Sequence, residues 1–200
     1  MTMSPFALLE ETPRPFLDLE ALKAKFLKLS APVHPDRVHH LSDDEKQKAT
    51  GRFSELNGAY LLLRDPRRRI EWLIENETGI KLRDVQKIPP GTMDLFMEIG
   101  QFCRDFDSFL EQKSQMGDSP LLKATMVVQQ QQWRQKLDAL DARLCEKAAG
   151  LGKELLQLDA QWSGASDRKP LLESLENLAR AWSYLNRWEQ QLGERKLKAE

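Results

Sequence analysis

Apolar residues recur along this chain at steps of three and four, and β-branched residues never form a clean alternating run. Leu19, Leu22, Phe26 and Leu29 are spaced three, four and three apart, on one face of a helix that Asp18 opens as N-cap. Lys25 and Lys28 lie along one flank of that face, with their ammonium groups expected in water. Pro32 predicts the end of this helix, because proline removes a backbone donor and clashes with the preceding turn. A second stripe, Ala49, Phe53, Leu56, Tyr60 and Leu63, follows the capping-box sequence Ser42-Asp43-Asp44-Glu45. The two amphipathic helices are expected to pack antiparallel, with His34, Pro35, Asp36, Arg37, His39 and His40 in the loop between them.

Ahead of this pair, residues 6–10 can form a short helix, followed by the stiff stretch Thr12-Pro13-Arg14-Pro15. After it, Asp65-Pro66 reads as N-cap plus first-turn proline, opening a helix with Ile70, Leu73 and Ile74 inward. Ile88-Pro89-Pro90-Gly91 marks a boundary. Beyond it the pattern predicts three helices. The first covers about residues 92–113, with Leu95, Phe96, Ile99, Phe102, Cys103, Phe106, Phe109 and Leu110 as a broad stripe. Gln115-Met116-Gly117-Asp118 turns the chain and Ser119-Pro120 opens a long second helix, which Gly150 and Gly152 weaken and threaten to kink. The third, after Ser163-Gly164-Ala165-Ser166, carries Leu171, Leu175, Leu178, Trp182 and Leu185 at the spacing of a bundle seam.

Composition agrees with an all-α chain: 40% of residues are hydrophobic, 30% charged and 8% aromatic, with many good helix formers. The formal net charge of −1 and the lack of a basic stripe interleaved with aromatics give nucleic-acid binding no footprint. No apolar run approaches a membrane span, and residues 1–11 lack the layout of a signal peptide. Cys103 and Cys145 form no C-x-x-C pair, so a reducing, cytoplasmic setting without disulfides is expected. Catalytic candidates are wanting. No phosphate-cradling loop or Gly-x-Ser-x-Gly elbow occurs, and Asp43-Asp44 reads as helix-start charge. His34, His39 and His40 beside Asp36, Asp43 and Asp44 lack ordered metal-ligand spacing, so neither metal nor cofactor is expected.

The sharpest signal is His34-Pro35-Asp36, set between a helix with basic residues and a helix with a tyrosine. Taken with its surroundings it resembles the J-domain proteins, and specifically the HscB/Jac-type co-chaperones of iron–sulfur cluster assembly. The resemblance is carried by Phe6-Ala7-Leu8-Leu9, by residues 17–22 leading through Phe26 and Leu29 to His34-Pro35-Asp36-Arg37, and by Leu56-Asn57-Gly58-Ala59-Tyr60. Leu63-Arg64-Asp65-Pro66 and Arg69-Ile70-Glu71-Trp72-Leu73-Ile74 continue it, with Trp72 where HscB-type proteins carry tyrosine. It is strong over residues 4–79 and weaker beyond, where Leu95-Phe96-Met97-Glu98 and Trp182-Ser183-Tyr184-Leu185 support it.

The resemblance implies a J-domain over residues 1–80, a linker over 81–91 and a C-terminal three-helix client-binding bundle over 92–200. It implies a co-chaperone, not an enzyme. His34, Pro35, Asp36, Arg37, Lys25 and Lys28 would dock on a DnaK/HscA-type chaperone ATPase and stimulate its hydrolysis of ATP. Asp36 would meet a partner arginine and His34 would hold the loop geometry. Leu95, Phe96 and Met97 would contact an IscU-type scaffold as client. Two positions depart from the family pattern: Ala31-Pro32 replaces basic residues before the histidine, and Gln101 and Arg104 stand where the client-binding helix is usually acidic. A J-domain protein with a different client, or a structural helical adaptor with no chaperone partner, are the alternatives.

Overall fold

The computed structural model describes residues 3–82, 91–115 and 120–199, leaving aside the side chains of 120–124. Every regular element among the described residues is helical: α1 Pro5–Leu8, α2 Leu19–Ser30, α3 Pro35–Val38, α4 Asp43–Arg64, α5 Pro66–Thr78, α6 Met93–Gln115, α7 Pro120–Trp162 and α8 Lys169–Lys198. The fold class is therefore the all-α arrangement that the periodicity predicts. The expected turns at Ile88-Pro89-Pro90 and at Met116-Gly117-Asp118-Ser119 lie outside the described residues.

The caps are those read from sequence. Asp18 accepts hydrogen bonds from the amides of Glu20 and Ala21 at 2.9 and 3.0 Å. Ser42 and Glu45 form the reciprocal capping box of α4, and the Ser42 hydroxyl and amide hold the Glu45 carboxyl below its ordinary pKa. Asp65 caps α5, whose far end closes on Gly79 at φ +71°, a left-handed conformation natural to glycine. Asp18→Ala removes the acceptor for two otherwise orphaned amides and is expected to cost about 1 kcal/mol in urea unfolding; a loss below a tenth of that would show that the cap is dispensable.

Grouped by proximity, the chain forms two compact units, Met1–Arg83 with Glu154–Ala179, and Asp84–Lys153 with Arg180–Glu200. Packing units thus do not follow chain order, since the end of α7 and the start of α8 belong with α1–α5.

In the first unit, α1 and α2 both pack on α4, burying Phe6, Leu9, Leu22, Leu56 and Leu63, while Phe26 stacks on Tyr60 at 4.5 Å between ring centroids. Leu19, expected on the inward stripe, is 48% exposed. The pairs Phe26–Tyr60 and His34–Phe53 fix an antiparallel register in which Leu19 lies beyond the last residue of α4, Arg64. Nothing on α4 is left to cover it.

The second unit is centred on an aromatic cluster in which Phe102, Phe106 and Phe109 of α6 each lie within 6 Å of Trp133 on α7. Leu137, Leu140 and Leu144 extend that core, and Leu185, Trp188 and Leu192 of α8 are buried in the same unit. Helix α7 runs unbroken through Gly150 and Gly152. The roughly 1 kcal/mol that each glycine subtracts from helix propensity is outweighed by burial of Leu144, Leu151 and Leu155 along one stripe.

Candidate functional site

The segment between α2 and α4 is more ordered than a plain loop. After α2, Ala31–Val33 tightens into a 3₁₀ turn, and Pro35–Val38 then forms the single helical turn α3 with His34 as its N-cap. The Asp36 amide donates to His34 Nδ1 at 3.3 Å, and the Arg37 amide donates to the His34 carbonyl at 2.9 Å. In the contact with the Asp36 amide, His34 Nδ1 acts as the acceptor. His39 Nδ1–H donates to the Asp36 carbonyl at 2.8 Å. The His34 and Phe53 rings meet at right angles with centroids 5.2 Å apart, anchoring the turn to α4. Local backbone capping and one aromatic contact therefore set the tripeptide's shape. The Asp36 carboxylate projects outward, 89% exposed, with the imidazole of His34 at 3.7 Å.

The sequence held a signal for α3: His34-Pro35 repeats the N-cap-plus-proline grammar of Asp65-Pro66. Histidine is an uncommon cap, and the expected loop is corrected to a helical turn.

The cations around the turn divide. Lys28 and Arg37 are exposed and make no ion pair among the described residues. Lys25 does not extend freely into water as expected. Its ammonium donates to Glu11 Oε1 at 2.7 Å and to the Glu10 carbonyl at 3.0 Å. Glu10 adopts a left-handed φ of 54°, and its own carbonyl together with the Glu11 carboxylate meets Lys25.

Two charged residues to which the sequence analysis gave no role hold the stretch that leads into α2. Arg69, 2% exposed, donates from Nε to the Pro15 carbonyl at 2.7 Å and from Nη1 to the Leu63 carbonyl. Burial lowers its pKa to about 10, opposed by Asp65 and Asp159, and it stays protonated at neutral pH. Asp159 near the end of α7 accepts from the Phe16 amide and Arg14 Nε, each at 3.0 Å, and pairs with Arg14 Nη2. Trp162, one turn on, donates from Nε1 to the Pro13 carbonyl at 3.2 Å. The stiff stretch read from sequence is thus a strap clamped from both sides.

The residues read as client-binding separate along α6. Leu95 is buried in the second unit, Phe96 is part exposed with its ring 6.4 Å from Trp188, and Met97 is 58% exposed. One turn on, Arg104 donates to Gln101 and Gln101 donates to Asp105, at 2.7 and 2.6 Å. Among the described residues no group of three or more His, Cys, Asp or Glu side chains is placed to hold a metal ion, and no helix is long and apolar enough to cross a membrane.

No protein-family model matches the chain. It is 28% identical over 173 residues to a co-chaperone protein HscB homolog of Bordetella avium (strain 197N), covering 86% of this chain and 81% of that protein. It is 26% identical over 180 residues to the HscB homolog of Vibrio vulnificus (strain YJ016), covering 88% and 92%. The fold matches the crystal structure of human co-chaperone protein HscB with a TM-score of 0.59 at 17% identity, over 98% of this chain and 84% of that one. Motif region, long-range similarity and fold agree: the chain is HscB-like over most of its length.

Proposed function

We propose that the chain is a co-chaperone of iron–sulfur cluster assembly, which stimulates ATP hydrolysis by a DnaK/HscA-type chaperone and brings it an IscU-type scaffold as client. The observation that carries this reading is the outward-facing Asp36 on a turn whose shape is fixed by His34 and Phe53. Relatives named as HscB co-chaperones support it. Asp36 meets a partner arginine in a charge-assisted pair, a strong contact where both groups leave water together. Lys28 and Arg37 steer the approach to an acidic face. Lys25 joins them only by exchanging Glu11 for a partner carboxylate. The hydrolysis chemistry stays in the partner, the chain acts by contact, and its place of action is the cytoplasm. The working division is a J-domain over residues 1–80, a linker over 81–91 and a client-binding bundle over 92–200, with Phe96 and Met97 as the exposed part of the client surface.

Single-turnover ATP hydrolysis by the source organism's DnaK-type chaperones tests this. The wild-type chain is expected to accelerate hydrolysis at least tenfold, and His34→Gln to abolish the effect while the chain stays folded. A fully active His34→Gln chain would sink the mechanism. A second reading keeps the ATPase partner and changes the client, and the Arg104-Gln101-Asp105 ladder on the α6 face favours it, because two side chains there replace carboxylates. Retention of an IscU-type scaffold in a pull-down decides for the first reading, and its absence decides for the second.

A further inference from the structure

The backbone of Asp36 is held by two imidazoles, one from each end of α3. Its amide donates to His34 Nδ1 at 3.3 Å, and its carbonyl accepts from His39 Nδ1–H at 2.8 Å. His34 is the N-cap of the turn and His39 its C-cap. Between them Val38 is 5% exposed and seats the turn against α4, while Asp36, Arg37 and His39 stay in the open. The His39 ring stands nearly at right angles to that of His40, with centroids 5.6 Å apart.

A single helical turn cannot satisfy its own last carbonyls, so they need partners from outside the helix. The Val38 carbonyl takes the Leu41 amide at 3.0 Å, and the Asp36 carbonyl takes the His39 side chain. In the free chain the second bond contributes little, because water reaches an exposed carbonyl and replaces a lost donor. Docking changes this. The carbonyl belongs to the same residue whose carboxylate meets the partner, so a partner that covers Asp36 also drives water from its backbone. A carbonyl without a donor under that cover carries the full cost of its desolvation. A turn already closed by His39 also has less freedom to lose on binding.

We propose that His39 is a positioning residue for the Asp36 contact. Its imidazole keeps the Asp36 carbonyl in the docked geometry and satisfies it when the ATPase partner excludes water. The inference rests on the co-chaperone reading and adds to it a residue that lies outside both the tripeptide and α2. His39 acts through Asp36 and governs how readily the turn docks, while the saturated rate remains set by Asp36 itself.

The test measures single-turnover ATP hydrolysis against chain concentration for the full chain as wild type, His39→Phe, His39→Ala and His39→Asn. Phenylalanine keeps a ring and removes the donor, alanine removes both, and asparagine keeps an N–H donor near the place of Nδ1. His39→Phe and His39→Ala are each expected to raise the half-maximal concentration about tenfold, with the saturating rate within twofold of wild type. His39→Asn is expected to stay within threefold of wild type on both measures. Circular dichroism melts show that the variants are folded, as the exposure of His39 leads one to expect. An active wild type with an unchanged half-maximal concentration in the folded donor-free variants overturns the role of His39 alone. An equal loss in His39→Asn overturns it too, since the ring and not the donor would then matter. A wild-type chain that stimulates no chaperone overturns the co-chaperone reading, and this inference with it.

Discussion

Arg69→Ala is expected to destabilise the first unit by about 4 kcal/mol, from two orphaned acceptors and a cavity together. Arg69 is buried and bonds two carbonyls from different segments, Pro15 on the strap and Leu63 in the last turn of α4. Truncation leaves both carbonyls without their donor, at about 1–3 kcal/mol each where water does not reach them. It also empties the volume of a long side chain in the core, while relief from burying a cation returns part of the loss. Arg69→Met separates these effects: it fills most of the space and removes the charge, so about half the loss is expected to remain. Urea unfolding gives the magnitude, and hydrogen exchange in α5 and the last turn of α4 localises it. Equal stability of Arg69→Ala and wild type would show that the guanidinium braces nothing.

The second large effect concerns the part of the chain that resembles a J-domain when it is separated from the rest. Residues 1–82 alone are expected to melt about 12–24 °C below the same segment in the full chain, a loss of about 3 kcal/mol at 4–8 °C per kcal/mol. The reason lies in residues 154–179. Trp162 is buried and bonds the Pro13 carbonyl, Asp159 holds the Phe16 amide and Arg14, and Arg168 pairs with Glu77 at 2.7 Å. Water replaces the lost polar contacts of the strap in the fragment, so most of the loss is the apolar contact that the buried Trp162 makes. The half-exposed Arg14–Asp159 pair adds at most about 1 kcal/mol. Circular dichroism melts of the fragment and Trp162→Ala in the full chain measure the same loss independently. A fragment that melts with the full chain would show that the strap needs no cover.

Much of this architecture is legible because its causes are local. The steps of four and three in Leu171, Leu175 and Leu178 report a buried face directly. Asp18, Ser42 and Asp65 announce helix starts through bonds to amides two or three residues away. The tripeptide of the site is legible for the same reason. What escaped depends on distant residues. Asp159 sits 143 residues from the amide it accepts, and nothing local separates it from the solvated acids of α7. Arg69 looks like its neighbours Arg67 and Arg68 until the Pro15 carbonyl, 54 residues earlier, is brought to it. In the sequence Lys25 looks like a solvated docking cation, yet its pairing needs the left-handed turn at Glu10. Leu19 kept the right period and lost its cover because the opposing helix ends first.

The clamp on the strap also sets an order of events during synthesis. Helices α1–α5 are complete once Thr78 has left the ribosome, but Asp159 and Trp162 follow about eighty residues after Leu82. At about 5–20 residues per second, the nascent chain spends some 4–16 seconds with its strap uncovered at Phe16. For that interval the chain itself displays an uncovered apolar site, the kind of surface that chaperones bind. The first unit thus passes through a stage in which its strap lacks the cover that residues 154–179 give it.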